Sequence, residues 1–311
     1  MLRTGLLWLS EQQRVFRFVR SNALARRFAA RFVAGETVET AIDAVRDLNR
    51  RQISATLDLL GESVGQESDA AQARDTYLTM LDQIAQAGVQ SNVSVKLTQM
   101  GFDLGESTCL ANVSAILERA KARQNFVRID MEGSAYTQRT LDLVYQRLSP
   151  AFGPHLGVVI QSCLRRSAVD VDRLIDAKAR VRLCKGAYLE PADVAFPDKA
   201  DVDKAYVQLM ERLMERGNYP GIATHDAAII ARAREFAAAR KIDPARFEFQ
   251  MLYGVRRDLQ DSLRRAGYNV RVYVPFGTQW YPYLMRRLAE RPANIAFILG
   301  NVVREAVHRP A

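Results

Sequence analysis

A chain of 311 residues with 48% apolar and 25% charged side chains has room for one large core or two ordinary domains, and its composition excludes disorder and a coiled coil. The formal net charge of +9 would suit nucleic acid or an anionic membrane surface, but the basic residues are spread along the chain. They cluster only at Arg26-Arg27, Arg165-Arg166, Arg286-Arg287 and similar short sites, with no recognised binding motif, so no nucleic-acid partner is expected.

Cys109, Cys163 and Cys184 are odd in number and show no CxxC spacing, which argues against a disulfide framework and a structural zinc site and fits a reducing cytoplasm. His155, His225 and His308 are too few for a histidine-based metal centre, so metal-free chemistry is expected.

In chain order, residues 1–50 read as an N-terminal helical arm. The apolar run Leu6 to Leu9 is too short for a signal peptide, and no segment reaches the roughly 20 apolar residues of a spanning helix. The mixture of Leu6, Leu7, Phe16 and Val19 with Arg14, Arg17 and Arg20 is amphipathic; packing on the main domain is favoured over a membrane foot.

Eight short apolar runs follow: "ISATLDLLG", "VSVKLT", "FVRIDME", "GVVIQS", "VRLCKGAY", "GIATHD", "FEFQMLYG" and "VRVYVPFG". Their starts are about 23 to 40 residues apart, the length that a strand, loop and crossover helix require. This spacing predicts an α/β domain over 51–311, a (β/α)8 barrel of the TIM type. A doubly wound open sheet is the alternative, weakened because GxGxxG is absent at the first strand. Between Pro191 and Ala205, two prolines and several acids predict a long surface loop, with a helix from Ala205 to Glu215.

The C-terminal strand ends of such a barrel carry its active site, and here they are polar: Lys96, Asp130 and Glu132, Gln161, Arg182 and Lys185, Thr224-His225-Asp226, and Tyr273. Singly, each has a structural explanation: a snorkelling lysine, a loop histidine, a helix cap. A purely structural mouth has no need of six in succession. With Arg286 and Arg287 of the last helical run added, the cations Lys96, Arg182, Lys185, Arg286 and Arg287 outnumber Asp130, Glu132 and Glu290, so an anionic ligand is expected. Gly186 in "KGAY" permits close backbone approach to a flat or phosphorylated cofactor.

The last helical run, "YLMRRLAERPAN", puts Tyr283, Arg286, Arg287 and Glu290 within roughly a third of the helix circumference. Alone this is an ordinary solvated face with an ion pair. Its other reading is a carboxylate clamp, because a guanidinium offers paired donors matching a carboxylate.

Together "SVKLTQMG", "RIDME", "VIQS", "VRLCKGAYLEP", "IATHD", "FEFQMLYG", "VYVPFG" and "YPYLMRRLAERPAN", in order from about 94 to 294, resemble the proline dehydrogenase family, in its short bacterial form without a fused aldehyde dehydrogenase. The resemblance implies a distorted (β/α)8 barrel that holds FAD without a covalent bond, its last barrel helix laid over the mouth. It implies oxidation of L-proline to 1-pyrroline-5-carboxylate, electrons passed to a quinone during transient contact with the inner face of the membrane, and a downstream 1-pyrroline-5-carboxylate dehydrogenase.

By the same resemblance Asp130 and Arg182 are the catalytic pair. Lys96, Tyr273, Tyr283, Arg286, Arg287 and Glu290 bind substrate, and Met131, Gln161, Cys184, Lys185, Gly186, Ala187, Tyr188, Thr224 and His225 contact FAD. A related flavin enzyme preferring hydroxyproline is the runner-up reading, and a non-catalytic basic binding module a distant third.

Overall fold

Side chains in a β-strand alternate between faces, so the strand register of a closed barrel decides which residues fill its interior. In the computed structural model, which describes residues 29–290, with side chains in the last helix described to Met285, eight parallel strands close in sequence order. They are β1 (Ser54–Leu59), β2 (Ser91–Val95), β3 (Val127–Ile129), β4 (Leu156–Gln161), β5 (Arg180–Cys184), β6 (Gly221–Ala223), β7 (Glu248–Leu252) and β8 (Asn269–Phe276). Each lies within or overlaps one of the eight predicted runs, and the open sheet is excluded by the pairing of β1 with β8.

The register aligns Leu57, Val93 and Val127 across the first three strands, and their aliphatic side chains are fully buried. One residue on, Asp58, Ser94 and Arg128 align, and they too are buried. The apolar parity packs outward against the helices as the main core, which includes Leu57, Val93, Ile129, Val158, Leu183, Phe249 and Val272. The polar parity points into the barrel, where a TIM barrel more often packs branched aliphatics.

Helix α1 (Val38–Arg50) starts on a capping box between Thr37 and Thr40 and buries Val38, Ala41, Ile42, Val45 and Leu48. The helix expected from Ala205 begins earlier, as α2 (Lys199–Arg216). The prolines end with Pro197, and Asp201 in the first turn complements the positive end of the helix rather than marking loop. The later acids of the expected loop are N-terminal residues of α2.

Although α1 lies in the arm expected over residues 1–50, it contributes to the barrel's own core and packs on both β1 and β8. That is the seat a crossover helix after β8 would take. Helix α3 (Trp280–Glu290), the element that does follow β8, sits elsewhere: Trp280, Tyr281, Tyr283, Leu284 and Met285 form a separate cluster with Ala29, Val33 and Leu60. Residues 1–28 and the Pro292 to Asn294 part of the clamp motif lie outside the described residues.

Candidate active site at the barrel mouth

A cavity of about 1670 Å³ opens at the C-terminal strand ends, larger than the roughly 300 to 1,000 Å³ of ordinary small-molecule sites. Lys96, Asp130, Met131, Gln161, Arg182, Cys184, Lys185, Gly186, Ala187, Tyr188, Thr224, His225, Tyr273 and Tyr283 all line it. Tyr283 brings α3 to the mouth. Arg286, Arg287 and Glu290 belong to the same helix, but their side chains lie outside the described residues.

Asp130, just past β3, is the hub. Its Oδ1 accepts from Arg182 Nη1 at 2.8 Å and from Ser94 Oγ at 2.6 Å, and its Oδ2 accepts from the Tyr273 hydroxyl at 2.9 Å. The Arg182 guanidinium also lies over the Tyr273 ring, 5.2 Å from its centroid. Three strands, β2, β5 and β8, thus fix one carboxylate. Burial, then the charges of Asp130 and Asp58, pushes the Tyr273 phenol well above its ordinary range, so it stays a donor.

Beside this hub Lys96 donates to Asp58 Oδ1 at 2.8 Å. Asp58 is 1% exposed; burial pushes its carboxyl up, opposed by Lys96. Burial alone would lower the Lys96 pKa, but Asp58 and Asp130 raise it, so the ammonium stays charged.

The opposite wall has flatter chemistry. Gln161 donates through Nε2 to the Glu132 carbonyl at 2.9 Å, and the Glu132 carboxylate is itself held by the Thr98 hydroxyl and backbone. Gly186 has φ +111°, and a Cβ there would meet Cys163 Sγ at 2.4 Å and Gln161 Oε1 at 3.1 Å. Only glycine lets the backbone pass this close. Burial lifts the Cys184 thiol to about 12, so it serves as a small neutral wall residue rather than a nucleophile.

Lys185 reaches Asp226 at 2.9 Å and Asp203 at 2.5 Å, and its hydrogen bond holds Asp226 below the usual carboxylate range. His225 Nε2 accepts from the Leu252 amide at 2.9 Å. The neutral ring therefore carries its proton on Nδ1.

Three residues of this site were absent from the sequence-based assignment: Asp58, Ser94 and Gln250. Gln250 accepts from Arg182 Nε at 2.5 Å. The available signal was a polar residue inside an otherwise apolar strand run, as in "ATLDLL" and "FEFQML".

A closed parallel barrel that brings an arginine, a lysine and two tyrosines around one carboxylate beside a cavity at its C-terminal strand ends has the layout of a barrel enzyme's active site. The family model described as proline dehydrogenase matches residues 41–299. Proline dehydrogenase 1 of Bacillus subtilis (strain 168) is 42% identical over 305 residues, covering 98% of this chain and 100% of that one. The proline dehydrogenase of Deinococcus radiodurans is 41% identical over 308 residues, covering 98% of each. A solved structure of proline utilization A from Bdellovibrio bacteriovorus, inactivated by N-propargylglycine, superposes with a TM-score of 0.81 at 24% identity over 96% of this chain. This chain spans 39% of that longer one, and the likeness there is one of fold. The chain belongs to the proline dehydrogenase family.

Proposed function

We propose that the mouth cavity holds FAD and L-proline together, with the amino acid between the cofactor and α3. The chain is an oxidoreductase acting on proline in proline catabolism; the cofactor, the residue roles and the electron acceptor are the substance of the proposal. The supporting observation is convergence: Lys96, Asp130, Arg182, Tyr273 and Tyr283, from five separate elements, border one cavity with room for a dinucleotide and a small substrate. The close passage allowed by Gly186 fits a flat ring system against the β4 and β5 ends.

In this reading Lys96 with Arg286 and Arg287 holds the proline carboxylate, because fixed cations orient an anion that the cavity desolvates. Tyr273, Tyr283 and Glu290 shape the pocket and keep the arginine forks in place. Met131, Gln161, Cys184, Lys185, Gly186, Ala187, Tyr188, Thr224 and His225 hold the cofactor. Bound FAD supplies the hydride acceptor for oxidation at proline C5, giving 1-pyrroline-5-carboxylate. Arg182, its charge balanced by Asp130, would face the cofactor as a fixed cation able to stabilise negative charge there.

Electrons leave to a quinone during transient contact with the membrane surface, and a 1-pyrroline-5-carboxylate dehydrogenase consumes the product. Among the described residues no helix is long and apolar enough to cross a membrane. An anaerobic absorbance spectrum tests the reading: a flavin band that bleaches on adding proline is the expected result. Protein that stays colourless after FAD is added, or turns over hydroxyproline or pipecolate as fast as proline, overturns it.

A further inference from the structure

The hydrogen bonds of Gln250 run in one direction. Its amide oxygen accepts from Arg182 Nε at 2.5 Å, while its amide nitrogen donates to Glu248 Oε1 at 2.6 Å. An ionised carboxylate only accepts, so Glu248 fixes which end of the amide faces Arg182. Burial alone would raise the Glu248 pKa, but Arg271 and the amide of Gln250 outweigh it and keep the carboxyl below its usual range. Arg271 Nε donates to the same oxygen at 2.8 Å, and Arg271 Nη1 anchors on the Ala55 carbonyl at 2.6 Å.

Gly221 makes the room for this. A Cβ at Gly221 would lie 2.4 Å from Gln250 Nε2 and 2.7 Å from its Cδ. Gln250 is 4% exposed, so water does not compete for its amide.

We infer that Gln250 is a positioning residue for the reaction. It locks the rotamer of Arg182 from below, so that Nη1 is delivered to Asp130 and the guanidinium face to Tyr273. With both ends of the amide committed, Arg182 has one arrangement; without Gln250, its Nε is a buried donor with no acceptor, and the side chain must shift to find one. The inference rests on the role proposed for Arg182 above.

The test uses the FAD-loaded enzyme. In Gln250→Leu, kcat falls roughly 10-fold or more, as for a lost hydrogen bond to a charged group, while KM for proline stays within about 3-fold. A crystal structure of that variant shows the Arg182 Nη1 to Asp130 contact, 2.8 Å here, broken. Adding Gln250→Leu to Arg182→Lys costs no more than about 2-fold, because the guanidinium it positions is already gone.

Gln250→Glu keeps the volume and gives a second readout. Arg182 on β5 and Glu248 on its own strand face the substituted position. Arg271 on β8, Arg128 on β3 and Tyr219 before β6 act on Glu248, the Tyr219 hydroxyl reaching it at 3.3 Å, and Asp130 holds Arg182. At low pH the introduced carboxyl group is protonated; it donates to Glu248 and accepts from Arg182, as the amide does. As pH rises the shared proton is lost, the new carboxylate draws Arg182 away from Asp130, and kcat relative to the parent enzyme declines. If Gln250→Leu keeps full kcat and the Gln250→Glu ratio is flat with pH while Arg182→Lys is impaired, the inference fails and the proposed site stands. If Arg182→Lys also keeps full kcat, the role given to Arg182 fails.

Discussion

The two ends of the barrel are both built from arginines and a carboxylate, yet they differ in what surrounds the charges. At the floor, Glu248 faces Arg271, and Arg128 spends its Nη1 on the backbone carbonyls of Arg180 and Val158, at 2.7 and 3.3 Å. The guanidinium groups of Arg128 and Arg180 both lie against the Phe126 ring, at 4.8 and 4.9 Å. At the mouth, Asp130, Arg182 and Lys96 are also largely buried and paired but border a cavity of about 1670 Å³. Burial and pairing alone do not separate structural charges from functional ones. The open side does.

Six substitutions, the last read through a pH profile, can break or sharpen this contrast. Asp130→Ala removes the hub of the mouth and should lower kcat/KM by roughly 100-fold, measured by steady-state turnover, with flavin still bound. Next, Arg286→Met or Arg287→Met should raise KM for proline about 10- to 150-fold, the equivalent of a lost charge-assisted bond; an unchanged KM in both would sink the clamp.

Away from the Glu248 to Gln250 link that reaches Arg182, the floor should respond in stability rather than in rate. At Gly157 a Cβ would meet the Arg180 carbonyl at 2.5 Å and Arg128 Nη1 and Phe126 Cζ at 2.6 Å. Gly157→Ala should therefore cost about 1 to 3 kcal/mol of stability, seen as a lower Tm, with kcat kept. Back at the mouth, Tyr273→Phe deletes one donor to Asp130, and kcat/KM should fall about 2- to 12-fold for roughly 0.5 to 1.5 kcal/mol.

The smallest effect concerns acid stability. Glu248 is held below its ordinary value of 4.5 in the folded protein, so it contributes stability above that value. The contribution is lost as pH falls through the lowered folded pKa. Glu248→Gln should flatten the acid limb of a Tm against pH curve, and an unchanged limb would remove Glu248 from that account.

How far the sequence reaches follows from the same geometry. All eight strands were legible because a parallel strand buried on its outer face against helices carries β-branched and aliphatic residues in a short run, as "GVVIQ" does in β4, which is buried throughout. Lys96, Asp130, Arg182 and Tyr273 were legible as strand-end polar residues, and the structure brings them to one cavity. Asp58, Ser94 and Gln250 were missed because the contacts that tie them to the site are remote in sequence: Asp58 meets Lys96 38 positions away, Ser94 meets Asp130 36 away, and Gln250 meets Arg182 68 away. The seat of α1 was hidden for the same reason, since the strands it covers, β1 and β8, are the first and last of the barrel.

That seat has a consequence for the order in which the protein can be made. Helix α1 leaves the ribosome before any strand of the barrel, and its berth is complete only after β8, more than two hundred residues later. Until then the β8 side of this berth is missing, and a nascent chain carries an apolar face that folding of the intervening segments covers only in part. Closure is therefore late in synthesis: a chain cut short before Asn269 lacks the closing strand, the floor Arg271 and the mouth Tyr273 at once.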